Sequence, residues 1–378
     1  MSINLERFYG SHFEIGSQQG QCEVTRKCLE HIPEYDMLRR MKPRYIPTSL
    51  FLFLAKRRAS NLLKSDVFEY YPKQAQRLRG IADGAGTDVS TILFGQSMEL
   101  LLTVSKSSYQ VPACTSISFK PQITREEELI VAKNFDYPNE LKPYHLTCHT
   151  KPEEGYQTLG CTVGPLPGIL EGMNEHGLTV TYNLAYSTEI PKYYVPLSMV
   201  LQEMLETCKN TREAIEFMVE SKRAGGALLT IADPEGDVIT VDTSHNHLGV
   251  KDHSGEPIVI ATNHYLTLDM QKYEVPRNAV YSQTLSKGLV GVRVHESSEQ
   301  RMLRVKNLLK DEERIDEQVI KRILSDHGEN DEPSNLTPCQ HGEFLSTTRS
   351  MILYPERRVI KVLYGNPCKN EYVEFSFT

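Results

Sequence analysis

The sequence contains no apolar run long enough to cross a membrane. Its longest strongly apolar stretch, 50–55, is far shorter than the roughly 20 residues that a transmembrane helix needs. The first residues, 1–7, hold no apolar segment of the kind found in a secretory signal. The formal net charge of −7 argues against a general nucleic-acid-binding protein. These absences predict no membrane partner and no nucleic-acid partner.

Closely paired cysteines are missing as well. The eight cysteines are scattered, no C-x-x-C pair occurs, and the spacing does not resemble a disulfide framework. Reduced thiols are typical of the cytosol, so we expect a cytoplasmic protein in which most cysteines simply pack in the core. What is present, 39% hydrophobic and 24% charged residues, is ordinary for a globular chain.

The residue pattern changes near residue 111. Residues 1–110 are mainly helical in pattern, with helices expected at 49–64, from Pro72 through Ile81 with the segment 84–86 ending it, and after an Asp88 N-cap. Further helices are expected at 198–208, 211–221 after an Asn210 N-cap, 299–309 and 317–324. Alternating segments predict strands at 114–119, 129–135, 145–150, 156–163, 177–183, 227–232, 237–242, 258–262, 349–354 and 358–364.

Short polar turns join several of these strands, which implies antiparallel hairpins. Amphipathic helices must then cover the faces of the sheets. The sequence therefore predicts an α+β fold, a four-layer sandwich of helices, sheet, sheet and helices (αββα).

Cys114 stands apart from the other cysteines. It begins a strand-like segment, 114–119, and Ser116 follows it closely, while the next strand-like segment brings Lys133 and Asp136. A cysteine that became a chain terminus by cleavage of the preceding bond would have its own α-amine as a base for its thiol. The other interpretation of Cys114 is a packed thiol at the start of a strand.

Several short motifs follow one another in an order typical of one family. They are Gly10–Gly20, Arg79–Gly86, Cys114-Thr115-Ser116, Lys133–Asp136, Gly172–Asn183, Ala261-Thr262-Asn263, Thr348-Arg349-Ser350 and Tyr364–Cys368. Together they resemble the penicillin acyltransferase-like family of N-terminal-nucleophile (Ntn) hydrolases, which is related to the choloylglycine hydrolases. The resemblance extends over almost the whole chain.

The resemblance implies the αββα Ntn fold, breakage of amide C–N bonds, and self-cleavage between Ala113 and Cys114. Segment 1–113 would stay associated with the catalytic core, 114–378, and the two would form one domain. Family members often have glycine before the cysteine, so Ala113 is a small departure. Lys133 stands where the choloylglycine branch has arginine, which argues against a bile-salt substrate. We expect a small-molecule amide or acyl substrate and no cofactor; a homo-oligomer is left open.

Roles for the site residues combine this resemblance with their chemistry. The Cys114 thiol would attack the Ala113 carbonyl, and water would hydrolyse the thioester. The freed α-amine has a reference pKa of roughly 7.7–8.0, which suits a general base near neutral pH. Asp136 would accept a hydrogen bond from the α-ammonium, and Asn183 and Asn263 would donate to the oxyanion.

Three further residues complete the predicted site. Arg349 would supply positive charge close to the nucleophile, with Ser116 and Ser244 as weaker candidates for orienting the new N-terminus. The alternative interpretations are structural: a turn residue for Asp136, strand-end caps for the two asparagines and an ion pair for Arg349.

The sequence leaves several functions open. The first is a self-processing amidohydrolase, with an acyltransferase as its close alternative when an amine replaces water. A second is an uncut, non-catalytic binding protein. A third is a thiol enzyme in which His176 or His264 is the base for Cys114. Asp326-His327 with Cys339-Gln340-His341 can be interpreted as a zinc cluster, but the spacing fits no standard structural site. We therefore expect loop packing there and no metal.

Overall fold

The strands of the protein form two sheets. The computed structural model describes residues 3–103, 113–281, 289–343 and 345–377. Its strands are β1 (Leu5–Gly10), β2 (Thr115–Phe119), β3 (Ile130–Pro138), β4 (His145–Pro152), β5 (Thr158–Val163), β6 (Glu171–Asn174), β7 (Thr179–Leu184), β8 (Ala227–Ala232), β9 (Val238–Thr243), β10 (Leu248–Asp252), β11 (Ile258–Ala261), β12 (Leu345–Tyr354), β13 (Val359–Tyr364) and β14 (Val373–Ser376). The first sheet has the order β1-β4-β5-β6-β7-β8-β9-β10, and the second has the order β11-β2-β3-β12-β13-β14.

The helices occupy three stretches of the chain. They are α1 (His12–Gln21), α2 (Glu23–His31), α3 (Asp36–Met41), α4 (Thr48–Tyr70), α5 (Pro72–Gly84), α6 (Val89–Thr103), α7 (Leu197–Thr207), α8 (Thr211–Glu220), α9 (Glu296–Leu309) and α10 (Glu317–Leu324). Short 3-10 helices cover Ile32–Glu34, Asn139–Tyr144 and Leu268–Tyr273. Asp88 and Asn210 accept hydrogen bonds from the backbone N–H groups of Thr91 and Glu213, so both predicted N-caps are confirmed.

Three apolar clusters give the order of the layers. One cluster joins α1, α5, α6 and α7 to the first sheet through β4 and β7. A second lies between the sheets, where β3 and β12 pack against β5 and β6. The third covers the outer face of the second sheet with α9 and α10. The arrangement is helices, sheet, sheet and helices, so the predicted α+β, αββα fold class is confirmed.

Helices α1 and α5 touch backbone to backbone, and two of the family-like motifs explain why. A Cβ at Gly16 would lie 2.1 Å from the carbonyl oxygen of Arg77, and one at Gly80 would lie 2.0 Å from that of Phe13. No other residue leaves room for this approach. The glycines in the segments 10–20 and 79–86 therefore hold the helix layer together.

The structure differs from the sequence expectations at β1. Residues Leu5–Gly10 form a strand that was not expected, within the segment 1–110 that was expected to be mainly helical, and the part 104–110 lies outside the described residues. β1 also pairs with β4 in parallel, where only antiparallel pairing was expected. β1 has one buried residue, Phe8, so it lacks an alternating apolar signal. It is not joined to β4 by a hairpin, so nothing forces an antiparallel direction.

Three other strands, β6, β10 and β14, were not expected. Each has only four or five residues, which is too short for a clear periodicity. No helix among the described residues combines the length and the apolar character needed to span a membrane.

Candidate active site

Cys114 lies immediately before β2, which is next to the edge strand β11 of the second sheet. β2 is hydrogen-bonded to β11 on one side and to β3 on the other. Cys114 is 3% exposed and Ala113 is 1% exposed, so the peptide bond between them is enclosed by protein. The end of β3, the end of β11, α9 and the loop before β12 all contribute side chains around it.

The Ala113–Cys114 peptide is held on both sides by side-chain donors. Gln340 Nε2 donates to the carbonyl oxygen of Ala113 at 3.4 Å. Arg301 Nη1 donates to the carbonyl oxygen of Cys114 and to Thr115 Oγ1, the latter at 2.8 Å. Since both donors are buried, the bond that would be cut has a defined orientation.

The environment of the Cys114 thiol disfavours its ionised form. Burial raises its pKa, and the negative charges of Asp136 and Glu171 act in the same direction, while Lys133 and the backbone N–H of Asp136 oppose them. A buried thiol needs a proton acceptor before it can act as a nucleophile.

Asp136 is an acidic group near the Cys114 thiol that can serve as the proton acceptor. Burial raises its pKa to about 7, although Arg301, Thr347 and Lys133 all act to lower it. Thr347 Oγ1 donates to Asp136 Oδ1 at 2.6 Å. Within the described part of the chain, Asp136 Oδ2 is buried and has no hydrogen-bond partner. One carboxylate oxygen is thus available to a new donor.

Lys133, Ser116 and Asn183 form a connected group beside the thiol. Lys133 Nζ donates to Asn183 Oδ1 at 2.6 Å, and Ser116 Oγ donates to the same oxygen at 2.8 Å. Lys133 also forms an ion pair with Glu171 Oε1 at 3.2 Å. These contacts hold the Asn183 amide in one orientation, with its oxygen toward Lys133.

The two asparagines predicted for the oxyanion direct their amide groups to the backbone. Asn183 Nδ2 donates to the carbonyl oxygens of Ala261 and Thr262 at 2.9 and 2.8 Å. Asn263 Nδ2 donates to the carbonyl oxygen of Leu184 at 2.7 Å, and Asn263 Oδ1 accepts from Arg301. The structure brings both residues to the end of β2, and their oxyanion role stays a prediction.

Arg349 and Ser244 have no direct contact with Cys114 among the described contacts. Arg349 is fully buried between the sheets, where it forms an ion pair with Glu171 and contacts His145 Nδ1 at 2.9 Å. Among the described contacts, it is linked to Cys114 through Glu171 and Lys133. The Ser244 hydroxyl donates to Glu189. Its predicted part in orienting the N-terminus has no contact to support it within the described residues.

The two histidines considered as bases have other contacts. His264 Nδ1 is 2.7 Å from Ser298 Oγ, and burial lowers its pKa to about 3. The His176 ring packs edge-on against Tyr156, with 4.4 Å between the ring centroids. Neither ring has a hydrogen bond to the Cys114 thiol among the described contacts.

Sequence reasoning missed Arg301 and Gln340. Arg301 is on α9, four residues before Val305 and eight before Leu309, both of which are buried. An arginine on this otherwise apolar stripe was a signal that could have been noticed. Gln340 lies in an irregular loop and had no such signal.

One family model and several solved structures match parts of the chain. A family model described as "Acyl-coenzyme A:6-aminopenicillanic acid acyl-transferase" matches residues 123–369. The matched range includes Lys133, Asp136, Asn183, Asn263 and Arg301, but it begins after Cys114. No curated protein matches the chain.

Three solved structures resemble the chain loosely. A Caenorhabditis elegans ortholog of N-acylethanolamine-hydrolyzing acid amidase has 18% identity and a TM-score of 0.43, covering 64% of this chain and 93% of its own. A mutant of the conjugated bile acid hydrolase from Clostridium perfringens has 17% identity and a TM-score of 0.41, covering 70% and 97%. Penicillin V acylase from Agrobacterium tumefaciens has 16% identity and a TM-score of 0.41, covering 66% and 83%.

Proposed function

Because the chain belongs to the acyl-coenzyme A:6-aminopenicillanic acid acyl-transferase family, we propose that it is an enzyme that breaks linear amide C–N bonds through a thioester on Cys114. We further propose that it first cuts its own Ala113–Cys114 bond. Both proposals depend on one observation, the enclosed peptide bond between Ala113 and Cys114. Gln340 donates to the carbonyl oxygen of Ala113, and Arg301 donates to that of Cys114.

Self-cleavage would proceed by an N-to-S acyl shift. The Cys114 sulfur bonds to the carbonyl carbon of Ala113, and the thiol proton passes to the Cys114 nitrogen as the C–N bond breaks. Asp136, whose pKa of about 7 allows it to accept and return a proton near neutral pH, is the group we propose as the carrier. Water then hydrolyses the thioester, which frees the thiol and leaves a carboxylate on Ala113.

The oxygen of Ala113 gains negative charge when the sulfur adds to its carbonyl carbon. Gln340 Nε2 already faces this oxygen, so we propose that it stabilises the charge during self-cleavage. Preorganised donors of this kind typically contribute about 100- to 1000-fold in rate.

After cleavage, the new α-amine of Cys114 is the general base for substrate turnover. Its ammonium form needs an acceptor, and the free Oδ2 of Asp136 is available among the described groups. Lys133 and Ser116 fix the Asn183 amide. Following the family resemblance, we propose that Asn183 and Asn263 donate to the substrate oxyanion. Asn183 would turn one N–H away from a backbone carbonyl, and Asn263 would use the N–H that does not bond to Leu184.

Arg349 is proposed as a positioning residue. Its buried charge holds Glu171, and Glu171 in turn holds Lys133. Removing the Arg349 charge would leave Glu171 with only one cationic partner in this group. Arg301, whose contacts include Cys114, Thr115 and Asn263, is the arginine proposed to act directly at the site.

The segment before the cut would stay in place after cleavage. β1 is hydrogen-bonded to β4 along its whole length, and Leu78 and Ile81 of α5 lie in the apolar cluster that reaches the first sheet. We therefore propose that segments 1–113 and 114–378 remain one domain. The scattered, free cysteines support a cytoplasmic location, which is also proposed.

A small-molecule amide or acyl compound is the proposed substrate. An apolar cavity lies near the site, since Tyr137, which is close enough to Cys114 to interact with it electrostatically, lines the cavity together with Ile32, Phe94 and Met98. Hydrolysis needs only water as acceptor. Acyl transfer to an amine is the second candidate, and the description of the matching family favours it.

The mass of the purified protein tests self-processing. We expect two associated chains, the second beginning at Cys114, and we expect Cys114→Ala to remain one chain without activity. Cys208→Ala is the matched control, because Cys208 is also buried but lies at the end of α7. A wild-type chain that stays whole through long incubation would contradict self-processing and favour the uncut binding protein.

A substrate screen would then separate hydrolysis from transfer. N-acyl amino acids, small peptides and acyl-amines are incubated with the processed protein, with and without a second amine. A free acid as the main product indicates hydrolysis, whereas a new amide indicates transfer. Turnover by a chain that is still uncut would instead favour a thiol enzyme with a histidine base.

A further inference from the structure

Four possible metal ligands from three separate segments meet at the surface of the second sheet. His327 follows α10, Cys339 and His341 lie in the loop before β12, and Cys368 follows β13. Their ligand atoms all lie within 4.8 Å of one another. The sequence placed Asp326 in this group instead of Cys368, but the Asp326 carboxylate binds Arg304 in a two-pronged ion pair.

Four of the six distances among the ligand atoms are close to those of a tetrahedral site, and the other two, from His327 to the two sulfurs, are within 4.8 Å. With Zn–S of about 2.3 Å and Zn–N of about 2.0–2.1 Å, a regular tetrahedron has edges of about 3.8 Å for S···S, about 3.6 Å for S···N and about 3.3 Å for N···N. The distance between the two sulfurs, Cys339 and Cys368, is 3.7 Å. His341 Nε2 is 3.3 Å from Cys339 Sγ, 3.2 Å from Cys368 Sγ and 3.2 Å from His327 Nε2.

Hydrogen bonding alone accounts poorly for this cluster. Three groups converge on the single atom His341 Nε2, which can take part in only one linear hydrogen bond. A disulfide does not account for it either, because the two sulfurs are much farther apart than the roughly 2.05 Å of a bond. One cation at the centre would be bound by one lone pair from each of the four ligand atoms.

The surrounding contacts prepare the ligands. His327 Nδ1 is 2.9 Å from Asp331 Oδ1, and a carboxylate there holds the Nδ1 proton and leaves the Nε2 lone pair free for a metal. The backbone N–H of Cys339 donates to the carbonyl oxygen of Asp326, which joins the loop to the end of α10. Cys339 is buried and the other three ligands are partly exposed, so an ion can enter from solvent.

We propose that His327, Cys339, His341 and Cys368 bind one zinc ion. Two thiolates and two imidazoles suit zinc, and four protein ligands leave no open position, which is typical of a structural site. The ion would tie the end of α10, the loop before β12 and the turn after β13 to one another. These segments have no other covalent or metal link in the described part of the chain.

The zinc ion would also position Gln340, which lies between two of its ligands. Gln340 Nε2 faces the carbonyl oxygen of Ala113, and the backbone N–H of Gln340 donates to Thr347, which in turn donates to Asp136. This consequence rests on the proposed self-cleavage, whereas the zinc site itself does not. Loss of zinc is expected to slow self-cleavage about 10-fold or more, since the Gln340 donor would lose its fixed orientation.

Elemental analysis of the purified full-length protein tests the site. We expect about one zinc per chain in the wild type and less than a tenth of that in Cys368→Ser and in His327→Asn. Cys22→Ser is the matched control, because Cys22 is also a partly exposed thiol and lies far from the cluster in the sequence. Circular dichroism shows whether each variant is folded, and Tm is expected to fall by several degrees only in the ligand variants.

Two results would overturn the proposal. One is wild-type protein from zinc-supplemented cells that contains no metal; the other is a Cys339–Cys368 disulfide found by mass spectrometry in protein kept reduced. Cobalt replacement adds a positive readout, since thiolate-to-cobalt absorption should appear in the wild type and weaken in Cys368→Ser. If zinc is bound at one per chain and yet no cleavage occurs, the self-processing proposal fails and the zinc site stands.

Discussion

Two buried carboxylates in this protein have opposite pKa shifts. Glu206 on α7 and Asp136 on β3 are both buried, and burial acts to raise the pKa of each. At Glu206 the Arg77 guanidinium, His12 and Gln202 overcome burial and lower the pKa to about 2. At Asp136 burial prevails and the pKa is raised to about 7. The two pKa values differ because the carboxylates differ in the number and closeness of their hydrogen-bond and ion-pair partners.

The partners of Glu206 use both of its oxygens. Arg77 Nη2 binds Oε1 at 2.6 Å, and His12 and Gln74 bind Oε2 at 3.1 and 3.0 Å. These contacts join α7 to α1 and α5. Asp136 has Thr347 on one oxygen, and its other oxygen has no hydrogen bond within the described residues. A saturated buried charge stabilises the fold, whereas an incompletely paired one can take part in proton transfer.

Replacing each carboxylate by its amide would give the largest effects. We expect Asp136→Asn to remain folded but to slow self-cleavage by about 100- to 10,000-fold, because it cannot carry a proton. We expect Glu206→Gln to destabilise the protein by about 3–5 kcal/mol, because it leaves the Arg77 charge buried without its partner. Urea unfolding and timed electrophoresis measure the two effects. Equal losses of stability in both variants would contradict the assignment of Glu206 to stabilising the fold and of Asp136 to proton transfer.

The pH dependence of stability should also have opposite signs at the two sites. A raised folded pKa means that Asp136 favours folding when protonated, so its contribution is lost as the pH rises from about 4 toward about 7. A lowered folded pKa means that Glu206 stabilises the fold above about pH 4.5, and this is lost as the pH falls toward about 2.

The measurement uses Cys114→Ala, which would stay uncut. The free energy of unfolding is compared between pH 4 and pH 7 with and without Asp136→Asn. We expect the Asp136→Asn background to lose less stability as the pH rises, by about 1.4 kcal/mol for each unit of pKa shift removed. Identical pH profiles would show that Asp136 ionises at an ordinary pKa in the folded chain.

Removing a single donor from each carboxylate should have the smallest effect. Thr347→Val takes the hydroxyl from Asp136, so its pKa should rise further and self-cleavage at pH 7 should slow about 10-fold, with recovery at higher pH. Gln74→Met is the matched change at Glu206, which keeps Arg77 and His12, and it should cost about 1 kcal/mol of stability. If raising the pH fails to restore Thr347→Val, then Thr347 acts by holding Gln340 and not through the Asp136 pKa.

Local features of the fold could be predicted from the sequence. The bounds of α10 agree with the expected 317–324, and the expected strand segments at 227–232 and 258–262 appear as β8 and β11. Periodicity and capping are local properties of the chain, so they can be identified without knowledge of the partners. β1 could not be predicted in this way, since its single buried residue gives no pattern and its partner β4 lies in a distant part of the chain.

The site could be predicted only in part, because its contacts also join distant parts of the chain. Lys133, Asn183 and Ser116, which were predicted for the site, do meet beside Cys114. The prediction chose Arg349 as the arginine of the site, although Arg301 is the one that contacts the Cys114 carbonyl. Both are arginines in elements with apolar faces, and only the packing of α9 on the second sheet distinguishes their positions relative to Cys114.

The sequence by itself determined the order of most of the elements, the family, and a cysteine placed at the start of a strand, because these depend on short stretches of chain. Only the tertiary structure decided which distant side chains surround that cysteine, and how far the pKa of Asp136 is raised. It also brought His327 and Cys368 together with Cys339 and His341. Such contacts join segments far apart in sequence, and their energies depend on burial and on partner atoms that no local pattern contains.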